Sequence, residues 1–297
     1  MKRIAMAILI LALLMPATVF AGGSKSSTTC ATKYPVVLAH GMGASAQVLG
    51  IVDYWWGIES ALEDRGANVY VTSVNAMDSV FNKAASFKAQ FLHILAVTGK
   101  AKANIIAHSQ GVLYTRYAIS NMGLGPQVAT LTSIAGPNRG SYIANLIVYK
   151  IPSSLVTIGG KVLDFVYSFL LGDKNPQSVE NGMELCTDWM ADFFNVNVPN
   201  VSGVYYQSWA SKVKIGCPNL LLNATWLILL NKEGANDGMV SVNSAKWGAF
   251  RGVQEAAWYS PGCDHLTIIG QLFGLTPGFS APDFFVSVVS DLKNKGY

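Results

Sequence analysis

The chain has 297 residues, of which 51% are hydrophobic and 13% charged, and a formal net charge of +4. That length suits one large domain or two ordinary ones. The small positive charge is not gathered into a basic block, which argues against nucleic acid as a partner.

Residues 1–21 place Lys2 and Arg3 ahead of an apolar run and end on small residues at Val19 and Ala21. This is the layout of a cleaved secretory signal peptide, with an uncleaved anchor as the alternative. Export is the expectation, and removing Lys2 and Arg3 would take the net charge from +4 to about +2. Residues 22–33 read as a flexible polar lead-in, with Cys30 too far from the apolar run for lipid attachment. No later apolar run is long enough to cross a membrane.

From residue 34 the pattern alternates. "YPVVLAHG" (34–41) is an apolar run of strand length closed by a glycine, followed by helical "IESALEDRG" (58–66) and the strand "ANVYVTSV" (67–74). Residues 86–100 carry Phe87, Phe91, Ile94 and Leu95 at helical spacing. Then come strand "KANIIAHS", helix "GVLYTRYAISNMG" and strand "VATLTSIAG" (128–136). Strands alternating with helices imply right-handed crossovers, a mostly parallel sheet flanked by helices, and active residues at the carboxyl ends of strands. Segment 151–172 breaks the rhythm: only Lys161 and Asp164 are charged, and Leu163, Val166, Tyr167 and Leu170 form a broad apolar face. A core helix and a mobile flap over a cleft both fit it. One domain spanning 34–297 is the economical reading.

The chemistry centres on "AHSQG" (107–111). A serine hydroxyl attacks carbonyls only when a base removes its proton and a third group orients that base. Small residues around a serine at a strand-to-helix turn let the backbone pass closely and expose the hydroxyl, so Ser109 is the candidate nucleophile, although Ala107 replaces the more usual glycine. The order expected after the serine is acid, then histidine. His265 is the sole histidine downstream of Ser109 and the candidate base. Asp237, in an Asn-Asp-Gly turn after the apolar run 220–230, is the candidate acid. Asp264 adjoins His265, but neighbouring side chains align poorly. The oxyanion donors expected are the backbone N–H groups of Gln110, after the nucleophile, and Met42, in the loop "AHGMG". Four cysteines, Cys30, Cys186, Cys217 and Cys263, allow three disulfide pairings in an exported chain.

The blocks "YPVVLAHGMGASAQVLGIVDYWWGIESAL", "NIIAHSQGVLYTRY", "SIAGPNRGS", "GANDGMVSV" and "DHLTIIGQLFGL" run in order from Tyr34 to Leu275. Together they resemble the secreted bacterial true lipases of the Pseudomonas and Burkholderia kind. The resemblance implies an α/β-hydrolase fold, triacylglycerol hydrolysis, a triad of Ser109, Asp237 and His265, oxyanion donors at Met42 and Gln110, and a lid at 151–172. It also brings in a lipase-specific foldase as a candidate partner.

The chain departs from that family at its structural calcium. The backbone-carbonyl positions match Gln271 and Leu275, but Thr267 and the neighbourhood of Cys217 replace the two aspartates. Asn243 stands where the family's second disulfide cysteine would be. No metal site and no required cofactor are therefore expected, with a structural calcium kept as the alternative. A Cys217–Cys263 disulfide is expected to tie down the histidine loop in place of the ion, leaving Cys30 and Cys186 to pair or stay free. The expected protein is a monomeric, secreted serine ester hydrolase, a triacylglycerol lipase acting at an oil–water interface. The alternatives are an esterase for short or soluble esters or polyesters, and a non-catalytic lipid-binding protein on the same scaffold.

Overall fold

Val36, Val37, Leu38 and Ala39 are all buried, so the first strand, β1 (Val36–Ala39), is covered on both faces. Val36 and Leu38 pack with Ile58, Leu62, Phe285 and Val289, whereas Val37 and Ala39 pack with Phe87, Phe91 and Leu113. A strand buried on both sides needs no polar alternation, which is why the sequence reads there as an unbroken apolar run. In this computed structural model, residues 27–42, 47–48, 52–75, 78–150, 176–271 and 274–297 are described. The expected leader (1–21), the start of the lead-in and the expected lid (151–172) lie outside the described residues.

Five more strands complete the main sheet: β2 (Val69–Thr72), β3 (Ala103–His108), β4 (Val128–Ile134), β5 (Tyr205–Ser211) and β6 (Ala249–Gln254). Their order is β2-β1-β3-β4-β5-β6, and every neighbouring pair is parallel. The chain runs from β1 out to the edge strand β2 and returns across β1 to β3, so the strand order reverses between β1 and β3. Ligands in open parallel sheets bind beyond the carboxyl ends of the strands at such a reversal. Here those two ends deliver Gly41 and Met42 on one side and Ser109 on the other.

Helices α1 (Ile58–Glu63), α2 (Val80–Thr98), α3 (Gly111–Asn121), α4 (Pro176–Met183), α5 (Asn223–Lys232) and α6 (Ala281–Asn294) accompany the sheet. On α2, Phe87, Phe91, Ile94 and Leu95 face the core, as their spacing predicts, but the helix begins six residues before the expected start. The Ser79 side chain caps it by accepting the Asn82 N–H at 3.2 Å, and Gly99, at φ 63°, ends it. The extra turn carries Lys83 into the interior. Strands β5 and β6 and helix α6 have no counterpart in the sequence reading. In β5, "YYQSWAS", polar side chains are buried by pairing: Gln207 Nε2 donates to Thr132 Oγ1 at 2.9 Å and Ser208 Oγ donates to the Trp247 carbonyl at 2.7 Å. Such a strand shows neither alternation nor an apolar run.

The tightest packing lies where α3 leaves the sheet. A Cβ at Gly111 would stand 2.5 Å from the Ala39 carbonyl oxygen and 2.8 Å from that of His40. Neither backbone atom is free to retreat, because β1 is paired on both edges. Gly111→Ala should therefore destabilise the fold by about 1–3 kcal/mol through overpacking, read as a lower urea midpoint. An unchanged midpoint would mean that α3 is free to move away.

Candidate active site

The sheet ends β3 on His108, and the next residue turns sharply. Ser109 has φ 55°, in the left-handed region that side chains other than glycine avoid. Its N–H donates to the Ile134 carbonyl of β4 at 3.0 Å, so the turn is tied to the neighbouring strand. Gly111 lets α3 start against the end of β1. Gly41 is equally constrained, since a Cβ there would lie 2.7 Å from the Ser109 Cβ. The result is a serine presented at a strained strand-to-helix turn.

Two loops from elsewhere meet it. His265 Nε2 lies 2.9 Å from Ser109 Oγ, and His265 Nδ1 lies 2.9 Å from Asp237 Oδ2. Asp237 and His265 are both 1% exposed, so the imidazole is held in a nearly water-free setting. The His265 backbone N–H also donates to the Asp237 carbonyl at 2.9 Å, which couples the two loops directly. Asp237 is itself saturated: Oδ1 accepts the N–H groups of Met239 and Val240 at 3.0 and 2.8 Å, and Oδ2 accepts Ser211 Oγ–H at 2.9 Å. With its carboxylate fixed, the aspartate can select the imidazole tautomer that carries its proton on Nδ1 and leaves Nε2 to accept. The sequence-predicted Ser109, His265 and Asp237 thus form one continuous chain of hydrogen bonds.

The predicted oxyanion residues flank the same spot. Gln110 opens α3 beside Ser109, where backbone N–H groups at a helix start point outward. Met42 lines the pocket over Ser109 and His265 together with Pro137, Leu185 and Val240. Ser141 Oγ donates to the Met239 carbonyl at 2.6 Å and steadies the far wall.

Behind these residues is a buried polar layer that the sequence reading did not pick out. Lys83 Nζ donates to Gln110 Oε1 at 2.5 Å and to Asn181 Oδ1 at 3.1 Å, and Gln110 Nε2 also donates to Asn181 Oδ1. Burial pushes Lys83 down to about 7, against the pull of Glu184 and Asp78. Burial likewise pushes Glu184 up to about 7, opposed by the Val80 N–H, which its Oε2 accepts at 2.7 Å, and by Lys83. Lys83 lies ahead of the helical pattern read at 86–100, and only its spacing of four residues from Phe87 points to the same helix face. On the other side Tyr54 O–H accepts the Gly41 N–H at 2.9 Å and donates to His108 Nδ1 at 2.6 Å. Burial holds His108 well below the usual imidazole range. Its ring stands 4.7 Å from that of His265, and the neutral form avoids a second charge there.

The expected Cys217–Cys263 disulfide is not formed. All four cysteines are buried free thiols. Cys217 packs in the apolar cluster with Leu222 and Met239, Cys263 in the other cluster with Ile268 and Ile269. Cys186 and Cys30 are divided between the same two clusters. Burial raises all four thiols above their ordinary range, which keeps them protonated and unreactive.

His40 gives a pH dependence whose sign is fixed by geometry. Its Nδ1–H donates to the Gly41 carbonyl at 2.9 Å while Nε2 accepts the Val74 N–H at 3.0 Å, so only the neutral ring satisfies both. Burial accordingly lowers it to about 4 from an ordinary 6.5. Between those values the unfolded chain binds a proton that the folded chain refuses, and stability falls as pH drops through the window. Urea unfolding from about pH 6.5 to about pH 4 should show a steeper loss in wild type than in His40→Gln. Glu184 acts in the opposite sense in both proteins, so the difference in slope isolates His40, and equal slopes would contradict the assignment.

The family model described as palmitoyl protein thioesterase matches residues 35–196, more than half of the chain. A triacylglycerol lipase of Vibrio cholerae is 34% identical over 240 residues, covering 73% of this chain and 75% of the relative. A triacylglycerol lipase of Pseudarthrobacter phenanthrenivorans is 39% identical over 126 residues, but those cover only 41% of this chain and 39% of the relative. Among solved structures, the mature lipase of Bacillus licheniformis superposes with a TM-score of 0.63 at 22% identity, covering 87% of this chain and 92% of that one, a likeness of fold. The chain therefore belongs to the α/β-hydrolase family that holds the bacterial triacylglycerol lipases and is described by the palmitoyl protein thioesterase model.

Proposed function

We propose that the protein is a secreted serine ester hydrolase, a triacylglycerol lipase working through an acyl-enzyme on Ser109. The observation that carries this reading is the Asp237–His265–Ser109 chain, with both links at 2.9 Å, ending on a serine at φ 55°. In the cycle, Ser109 Oγ attacks the ester carbonyl carbon as its proton passes to His265 Nε2. The ionised Asp237 stabilises the imidazolium through Nδ1–H. The negative oxygen of the tetrahedral intermediate is received by the Gln110 and Met42 N–H groups. Collapse expels the alcohol, which takes the proton from His265 and leaves the acyl group on Ser109. Water then attacks that carbonyl with His265 again as base, releasing the carboxylic acid and restoring the serine.

The relatives' names support triacylglycerols as the substrate class. The match to the palmitoyl protein thioesterase model supports including a palmitoyl thioester among the substrates tried, since the same cycle cleaves it. Export rests on the leader pattern of residues 1–21, and the reading of 151–172 as a lid rests on its apolar face. Operation without a required metal or cofactor is part of the proposal, and a dedicated foldase stays a candidate partner. An acyl-chain-length series on dissolved and emulsified esters separates a lipase from an esterase for short esters.

Two outcomes test this reading. Ser109→Ala should abolish ester hydrolysis, by about three or more orders of magnitude, while leaving the urea midpoint unchanged. A folded Ser109→Ala protein with near wild-type turnover would remove the proposal. Val166→Asp should depress activity on an emulsion more than on a dissolved ester, because a charge on the lid face opposes its transfer onto lipid. Equal losses on both substrates would count against a lid.

A further inference from the structure

The loop bearing His265 is fastened by a side chain to which the catalytic cycle gives no part. Asp264 is fully buried. Its Oδ1 accepts the backbone N–H groups of Leu266 and Thr267 at 3.1 and 2.8 Å, which closes the turn around His265. Its Oδ2 reaches across to a different segment and accepts the Asn219 backbone N–H at 2.7 Å. The Asn219 side-chain Nδ2 approaches both carboxylate oxygens at 3.0 Å. One carboxylate thus binds the turn at 264–267 to the segment that leads into α5.

This is where the resembled lipases would hold calcium, and the residues present do not fit that ion. Calcium takes six to eight oxygen ligands, several of them carboxylates. Among the described residues no three histidine, cysteine, aspartate or glutamate side chains gather into a metal-binding group. Thr267 replaces one aspartate, and its Oγ1 accepts the Thr276 hydroxyl at 3.3 Å. Gln271 turns its amide nitrogen to the carbonyls of Asp53 and Tyr54, at 2.6 and 3.2 Å. The Asp264 carboxylate is ringed by hydrogen-bond donors, the N–H groups of Asn219, Leu266 and Thr267 among them, and the positive ends of those dipoles repel a cation.

We propose that Asp264 is a positioning residue that holds His265 against Ser109 through hydrogen bonds, taking the place of a metal. The proposal rests on the catalytic reading of Ser109 and His265. Two links of 2.9 Å must be kept at once, and a turn released from Asn219 lets the ring tilt away from one of them. A buried carboxylate receiving several charge-assisted bonds is a strong tie. Replacing it with an amide sets an NH2 group against donors. Misplacement of the base slows proton transfer without altering the pocket that binds the acyl chain, so the loss falls on kcat and not on KM.

The test measures hydrolysis of dissolved p-nitrophenyl butyrate by the full-length purified protein and by Ser109→Ala, Asp264→Asn, Asn219→Ala and the Asp264→Asn/Asn219→Ala double variant. Wild type is assayed with EGTA and with added calcium. Wild-type activity should be insensitive to both additions. Asp264→Asn should lose about tenfold to hundredfold in kcat with KM unchanged, and Asn219→Ala a smaller part of that. The double variant should be no slower than Asp264→Asn, because both changes cut the same tie. Loss of activity in EGTA with recovery on calcium would overturn the proposal, as would a folded Asp264→Asn with wild-type kcat. Should Asp264→Asn fail to fold, a folded Asn219→Ala with unchanged kcat overturns it alone. A wild type that is inactive, or no more active than Ser109→Ala, would instead overturn the catalytic reading. A wild type that depends on Ser109 but ignores both tie variants would overturn only the positioning role.

Discussion

The site depends on one backbone contact: α3 begins with its Gly111 against the last carbonyls of β1, with no room for a methyl group between them. That contact permits Ser109 to stay at φ 55°, a conformation that costs about 1–3 kcal/mol and survives only where surrounding structure enforces it. Enforcement comes from the Ser109 N–H bonded to β4 and from β1 paired on both sides. The same close approach sets Gly41 and Met42 beside the serine, so nucleophile and oxyanion loop share a single constraint. Strain in the turn and order in the sheet are two aspects of one arrangement.

Polar machinery in so dry a place is held mainly by paired groups. Asp237 takes three hydrogen bonds besides the one from His265. His40 and His108 are held neutral by burial, and Lys83 is paired with two side-chain amides. An unpaired group at such depth would cost about 1–3 kcal/mol, so this layer fixes a unique geometry as much as it stabilises the fold. His265 enters this setting on a loop and not on a strand, which makes the loop's own fastenings part of the site's precision.

The parallel αβ alternation and the three members of the hydrogen-bonded chain could be read from the residues because each has a local signature. Apolar runs end in glycine, a serine sits between small residues at a strand-to-helix turn, a single histidine lies downstream, and an aspartate occupies an Asn-Asp-Gly turn. What escaped the reading depends on contacts distant in sequence. Strand β5 hides polar side chains through partners on β4 and beyond, so its pattern resembles a loop. Lys83 looks like a surface residue until Ser79 starts the helix early. The cysteine pairing failed for a related reason: Cys263 lies two residues before His265 and Cys217 near a lost aspartate position, yet the two belong to different apolar clusters. The tie expected of sulfur is made by Asp264 and Asn219, which stand 45 residues apart in the chain.

A Ser109 nucleophile activated by His265 is open to covalent capture. A fluorophosphonate incubated with the native protein, followed by proteolysis and mass mapping, should place a single adduct on Ser109. The same treatment of a folded His265→Ala protein should leave that serine essentially unlabelled. Labelling at another residue, no labelling of the native protein, or equal labelling with and without His265 would contradict the account.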